Sequence, residues 1–178
     1  MSHKFEEGKD LIIDAVVEKL QKNLDGKQAT CCAEFARQFF ATVALDDLHD
    51  WSLDDLSGMV MNFWSLIQRR KPGEAKIRIY HPELEQDGWK KNHTVLEVIC
   101  DDMPFLVNSL RMVVNRMHLG LHWIIHMGGV RLTRGKDNEV TTILPRQGSV
   151  VSDAITEAPI FLIIDRLEIS IIPVSLFL

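Results

Sequence analysis

Apolar residues along the N-terminal part of the chain recur with a helical period. In KDLIIDAVVEKLQKNL, Leu11, Ile12, Ala15, Val16, Leu20 and Leu24 return at three- and four-residue steps, and Gly26 follows as a stop. QATCCAEFARQFFATVAL fits a second helix. A third begins after Ser52, whose hydroxyl can cap the free amides while Asp54 and Asp55 favour the positive end of the helix dipole. It carries Leu56, Met59, Val60, Phe63, Trp64 and Ile67 inward and ends in Arg69, Arg70 and Lys71, with Pro72-Gly73 as the breaker.

Beyond that breaker the period changes. KIRIYHP alternates Ile77 and Ile79 with charged neighbours, TVLEVIC is a short apolar run, and PFLVNSLRMVVNRM returns to helical spacing before Gly120. LHWIIHMGGVRLTRG reads as one long strand with a bulge or bend at Gly128-Gly129. EVTTILP predicts a short strand, Arg146 to Asp153 a loop, and IFLIIDRLEISII a final extended strand over residues 160–172. Helices first, then strand, helix, strand, strand, is an α+β pattern: a helical segment over 1–72 and a β-α-β-β module with an antiparallel sheet over 73–178.

The stretch CDDMPFLVNSL lies where a strand turns into a helix. Asp101 and Asp102 close the strand, and Pro104 is suited to a first helical turn, where its missing amide costs nothing. The free amides of such a corner need an acceptor. Either Asp102 caps them, or the amides around Met103 to Leu106 meet the carboxylate of a small ligand, with Asp101 or Asp102 free for an ammonium group. Asp101, Asp102, Met103, Pro104, Phe105, Leu106 and Asn108 are therefore the candidate effector-binding residues.

Composition narrows the partners. With 46% hydrophobic residues in 178 the chain can build a real core, and a formal charge of −5 without a basic face argues against nucleic acid. Three cysteines, two of them the adjacent Cys31 and Cys32, make no disulfide framework and suggest a reducing compartment, so a cytoplasmic location is expected. MSHKFEEGKD has no apolar signal core, and Asp165, Arg166, Glu168 and Pro173 interrupt the apolar C-terminal stretch, so no membrane partner is expected either.

No catalytic constellation emerges. A dinucleotide site needs a glycine-rich turn between strand and helix, and the sequence has no GxGxxG; Lys90 and Lys91 sit in a polar loop. No cofactor-binding residue is assigned. His118, His122 and His126 are spaced by four, but on a strand His122 and His126 stand about 13 Å apart, too far for one metal ion, and no metal is expected. Trp51, Met59, Met61 and Trp64 read as helix packing, Cys31-Cys32 as core, and the run Arg69-Arg70-Lys71 as solvated.

PELEQDGWKKNHTVLEVICDDMPFLVNSLRMVVNRMHLGLHWIIHMGGVRLTRG resembles the N-terminal region of the large bacterial NAD-dependent glutamate dehydrogenases, whose DDMPFLVDS segment sits in an ACT-like domain. The following LGLHWIIH and the upstream PGEAKIRIYHPELEQDGW stand in the family's order, and the likeness runs from the first helix to about Arg166. Asn108 departs from the family's usual acid, as does LEISIIPVSLFL from the polar helix expected after Arg166. The resemblance implies a helical lead-in and an incomplete ACT-like (ferredoxin-like) module of regulatory or assembly character. NAD and the catalytic residues then belong to the parent enzyme, which oxidatively deaminates L-glutamate to 2-oxoglutarate and ammonium. A free-standing amino-acid-sensing module and a ligand-free interaction domain are the alternatives. In a β-α-β-β-α-β unit the last strand lies beside the first, and this chain ends without it. One sheet edge is thus expected to stand open, and the chain to self-associate through that edge or its tail.

Overall fold

The computed structural model describes residues 2–148 and 151–168. Four helices come first: α1 (Ser2–Gln21), α2 (Gly26–Phe40), the short α3 (Leu45–His49) and α4 (Leu53–Ile67). Ser52 caps α4 as its sequence suggests, in a reciprocal box. Its hydroxyl accepts from the Asp55 amide at 3.0 Å, and the Asp55 carboxylate accepts from the Ser52 amide at 3.3 Å.

The sheet follows: β1 (Lys76–Tyr80), a single turn of helix α5 (Leu84–Asp87), β2 (Thr94–Asp101), α6 (Leu106–Arg116), β3 (Leu121–His126), β4 (Val130–Arg134), β5 (Val140–Ile143) and β6 (Ile155–Ile164). All six strands pair antiparallel. The order is β1-β2-β6-β4-β5, and β3 also pairs with β6. With helices ahead of it, this is an α+β fold of the ACT-like kind, as the residue pattern and the resemblance predict.

Three details differ from the sequence reading. First, the edge beside β2 is not open. β1 occupies it, registering Ile77 with Val98 and Ile79 with Leu96. A strand that precedes β2 thus stands where a ferredoxin-like unit would place its last one.

Second, LHWIIHMGGVRLTRG is two strands. β3 pairs with Ile160–Ile164 and β4 with Ile155–Glu157 of the same strand β6, and Met127 to Gly129 span the gap. Third, the final strand runs from Ile155 to Ile164, beginning earlier than expected and ending at Ile164; the predicted stretch 169–172 lies outside the described residues. Pro159 argues on propensity against a central strand. It is tolerated because neither β3 nor β4 registers a residue with it, the break falling at its level.

Both faces of the sheet are covered, which explains the continuous apolar runs of β2 and β6. Alternate residues go to opposite cores. Val95, Ile99, Phe161 and Ile163 join α1, α2 and α4 on one face. Leu96, Val98, Cys100, Ile160, Leu162 and Ile164 join Leu110 and Val114 of α6 on the other. Phe161 is the knob of the helix-facing core, with Phe39 and Phe63 at ring-centroid distances of 5.5 and 6.2 Å. Cys31, Cys32, Met59 and Trp64 are buried there as expected.

Two buried glutamates anchor α4 to the sheet. Glu157 is fully buried and accepts from Arg134 Nε and Nη2, both at 2.7 Å, and from Arg70 Nη2 at 2.8 Å. Arg134 also donates to the α4 end carbonyls of Ile67 and Gln68, and Lys76 Nζ to those of Leu66 and Arg69. These cations meet the negative end of the helix dipole. Arg70 is only 1% exposed, which corrects the reading of Arg69-Arg70-Lys71 as a solvated run: the helix-end geometry drives the middle residue inward, onto Glu157.

Glu97 makes the second anchor. It takes 2.8 Å and 3.0 Å bonds from Arg78 Nε and Tyr80 Oη, while Arg78 reaches Ser65 and the Asn62 carbonyl of α4. Burial pushes the Glu97 carboxyl from 4.5 up to about 7, against the lowering pull of Arg78 and Tyr80. The folded state therefore holds a proton that the unfolded chain has lost. This contribution to stability is full below pH 4.5 and disappears as pH rises towards 7. Its size is about 3 kcal/mol. Urea unfolding across that window checks it: the stability of the native chain relative to Glu97→Gln should fall as pH rises, and a constant difference would refute the assignment.

Candidate functional site

The strand-to-helix corner is built differently from its sequence reading. α6 begins at Leu106, and its N-cap is Phe105, held at a left-handed φ of 68°. Phe105 has no side-chain oxygen, so the first-turn amides receive no side-chain cap from it. Pro104 lies in the turn before the helix rather than in its first turn. The expectation that Asp102 caps α6 is thereby corrected; an extra turn of chain separates that carboxylate from the helix start.

The two acids have separate fates. Asp101 Oδ1 accepts from Arg70 Nη2 at 2.5 Å and Oδ2 from the Gly73 amide at 3.1 Å, so it serves the α4 anchor. Asp102 is exposed and leans on Gly129, while its amide donates to Thr156 O at 3.2 Å. This is why the β3–β4 break carries glycine. A methyl group at Gly129 would stand 2.3 Å from Thr156 Cγ2 and 2.6 Å from Asp102 Oδ2. Gly129→Ala should cost about 1–3 kcal/mol, read as a lower melting temperature, by pushing these groups apart. An unchanged melting temperature would show that the break yields without cost.

Around the free amides the surface is apolar. Phe105 is 77% and Met103 52% exposed, and Met112, one heptad after Phe105 on α6, is exposed as well. Asn108 is exposed beside them, and Leu106 is half-buried at the helix start. The corner thus offers backbone amides, one disengaged carboxylate (Asp102) and a projecting phenyl ring. That combination can receive a small zwitterion or carboxylate, or a partner surface, and it offers no nucleophile and base in contact.

The histidines arrange themselves in a way their spacing did not reveal. His122 Nε2 meets Asp165 Oδ1 at 2.6 Å, and its ring lies 4.3 Å from that of His93, edge to face. Asp165 also accepts from the Gly120 amide at 2.6 Å; that bond and His122 hold its carboxyl below the usual carboxylate range. Burial lowers the His93 pKa, and His122 adds to this. Trp51, read as helix packing, stacks instead on Trp123 of β3 at 5.1 Å. The contact joining His93 to His122 spans the β2 entry and β3, and no local spacing could have shown it. Among the described residues no group of three or more His, Cys, Asp or Glu could hold a metal ion, and no helix is long and apolar enough to cross a membrane.

An antiparallel sheet in this order, with α6 on one face and a helical layer on the other, defines an ACT-like α+β domain. The chain belongs to the glutamate dehydrogenase ACT1-domain family, whose model matches residues 35–170. It is 38% identical over 154 residues to the NAD-specific glutamate dehydrogenase of Halomonas elongata and 35% identical over 147 residues to that of Pseudomonas aeruginosa. The matches cover 86% and 83% of this chain but 9% of each relative, so the chain spans about a tenth of their length. No solved structure matches it significantly.

Proposed function

We propose that this chain is the non-catalytic N-terminal regulatory and assembly region of a cytoplasmic NAD-dependent glutamate dehydrogenase. The carrying observation is the family match over residues 35–170, in relatives whose remaining length is about ten times that of the matched part. The parent reaction is oxidative deamination of L-glutamate to 2-oxoglutarate and ammonium with reduction of NAD. NAD belongs to the parent's other regions, because this sequence has no phosphate-cradling glycine turn.

The corner supplies the regulatory function. A small amino acid or carboxylate docks on the amides near Met103 to Leu106, with Asp102 taking an ammonium group. Exposed Met103 and Phe105 support self-association at the same place, since an aromatic projecting from a turn is a usual interface anchor. Amino-acid titration of the chain, followed by melting temperature, is the test. A ligand that binds only the folded state must raise the transition, by about 2.7 kcal/mol of stability at a hundredfold excess over its Kd. Loss of that shift in Asp102→Asn is expected. No shift with any amino acid at millimolar concentration would leave an interaction domain without a ligand, and a saturable heat with NAD would overturn the non-catalytic reading.

A further inference from the structure

The outer strands of the sheet are β1, β5 and β3, and the chain treats them differently. β5 is short, and α2 reaches its outer side: the Cys31 thiol lies 3.6 Å from the Thr141 carbonyl oxygen, and Gln38 Nε2 donates to that of Leu144 at 2.8 Å. β1 carries Lys76 and Arg78, turned in towards carbonyls of α4, and inward charges of this kind discourage edge pairing. β3 has neither protection. Its sequence LHWIIH holds no lysine, arginine or proline, and among the described residues its one strand partner is β6.

The free side of β3 presents backbone groups. The His126 carbonyl accepts from Thr42 Oγ1 at 3.5 Å and so faces away from β6. Backbone groups alternate in direction along an antiparallel strand, so those of Ile124 face outward as well, where no strand of the described residues pairs with them. A groove of about 320 Å³ runs beside them. It touches Thr42, Val43 and Asp47 on one side, Arg111 of α6 on the other, and Leu121 to Ile124 of β3 between. The helical layer and α6 cover opposite faces of the sheet, so a groove that reaches both lies at the sheet's edge.

The walls decide what fits. Asp47 and Arg111 are exposed, and neither forms an ion pair among the described residues, so one wall is acidic and the other basic. Side chains of an added strand alternate between the two faces of a sheet. The strand that fits therefore carries a cation towards Asp47 and, one residue on, an anion towards Arg111. A second copy does not fit. Two identical edges pair antiparallel about a two-fold axis, which keeps like faces together and sets Asp47 beside Asp47 and Arg111 beside Arg111. We propose that the outer edge of β3 is a docking site for an extended strand of a partner protein whose alternate side chains are basic and acidic. The partner's backbone extends the sheet, and its charges settle on the two walls. This site is separate from the corner and stands whether or not the corner binds anything.

A blocked peptide, acetyl-Lys-Glu-Val-Thr-Val-Thr-Lys-Glu-amide, carries lysine and valine on one face when extended and glutamate and threonine on the other. Added at millimolar concentration to the nitrogen-15-labelled full chain, it should slow hydrogen exchange of the Ile124 amide saturably; the Ile125 amide, which faces β6, should be slow from the start. Versions with lysine at every charged position, or glutamate at every one, match one wall and meet repulsion from the other, and each should bind about tenfold more weakly. In Arg111→Asp both walls are acidic, so the all-lysine peptide should become the tightest. Backbone spectra check that this surface variant folds, and the comparison of peptides on the native chain needs no variant. The proposal is overturned if Ile124 gains no protection with any peptide, if the peptides bind equally, or if Arg111→Asp leaves their order unchanged. It is overturned too if Ile124 becomes protected with rising chain concentration and no peptide, which would make a second copy the occupant.

Discussion

Glu157→Gln is expected to destabilise the fold by about 3–5 kcal/mol, the usual loss when one partner of a buried ion pair is removed. The carboxylate is fully buried, and it balances the guanidinium groups of Arg70 and Arg134 at 2.7–2.8 Å. Glutamine has nearly the same shape but no charge. Its amide nitrogen is a donor, and it would face two groups that can only donate. Arg70 would retain Asp101, and Arg134 the carbonyls of Ile67, Gln68 and Asn138, so the damage centres on the end of α4. Urea unfolding measures it. A loss below about 1 kcal/mol would mean that the two arginines find water, as surface pairs do.

Phe161→Ala should cost a similar amount, about 3–5 kcal/mol, through lost burial and the cavity left behind. Phe161 lies in the central strand β6 and fills the space between Phe39 of α2 and Phe63 of α4. Because it belongs to strand and helical core at once, its removal should lower the unfolding of both together. Circular dichroism reads the helices, and near-ultraviolet signals of the tryptophans at the sheet read the other layer. Coincident transitions moving together are expected; a helical transition that stays in place while the sheet melts earlier would show that the two layers unfold independently.

Much of this architecture is legible in local pattern. α4 announces itself by the Ser52 cap, the acids of its first turn and an apolar period ending at Pro72-Gly73, all of which act within one turn of chain. β2 and β6 are recognisable as apolar runs. The extent of β6 is less legible, because Pro159 argues against a strand that the gap between β3 and β4 makes permissible. The strand-to-helix corner is legible in its residues, and its cap is not. Asp102 and Pro104 have the right chemistry for a helix start, yet Phe105 takes the N-cap position in a left-handed conformation that its side chain does not suggest.

The sequence by itself determined the class of fold, the long helices, the strands β2 and β6, the lack of a glycine-rich phosphate turn and the family likeness, because these rest on periodicity and motifs among residues close along the chain. Only the tertiary structure decided which charges are buried and which groups meet. Arg70 reads as a surface cation until Glu157, 87 positions away, is seen beside it. β1 reads as a stray strand until it pairs with β2 and closes the edge expected to be open. The groove of Asp47, Arg111 and Trp123 draws on three separate parts of the chain. Hydrogen bonds and charge pairing act over a few ångströms in space, whatever the separation in sequence, so such partners become apparent only when folding brings them together.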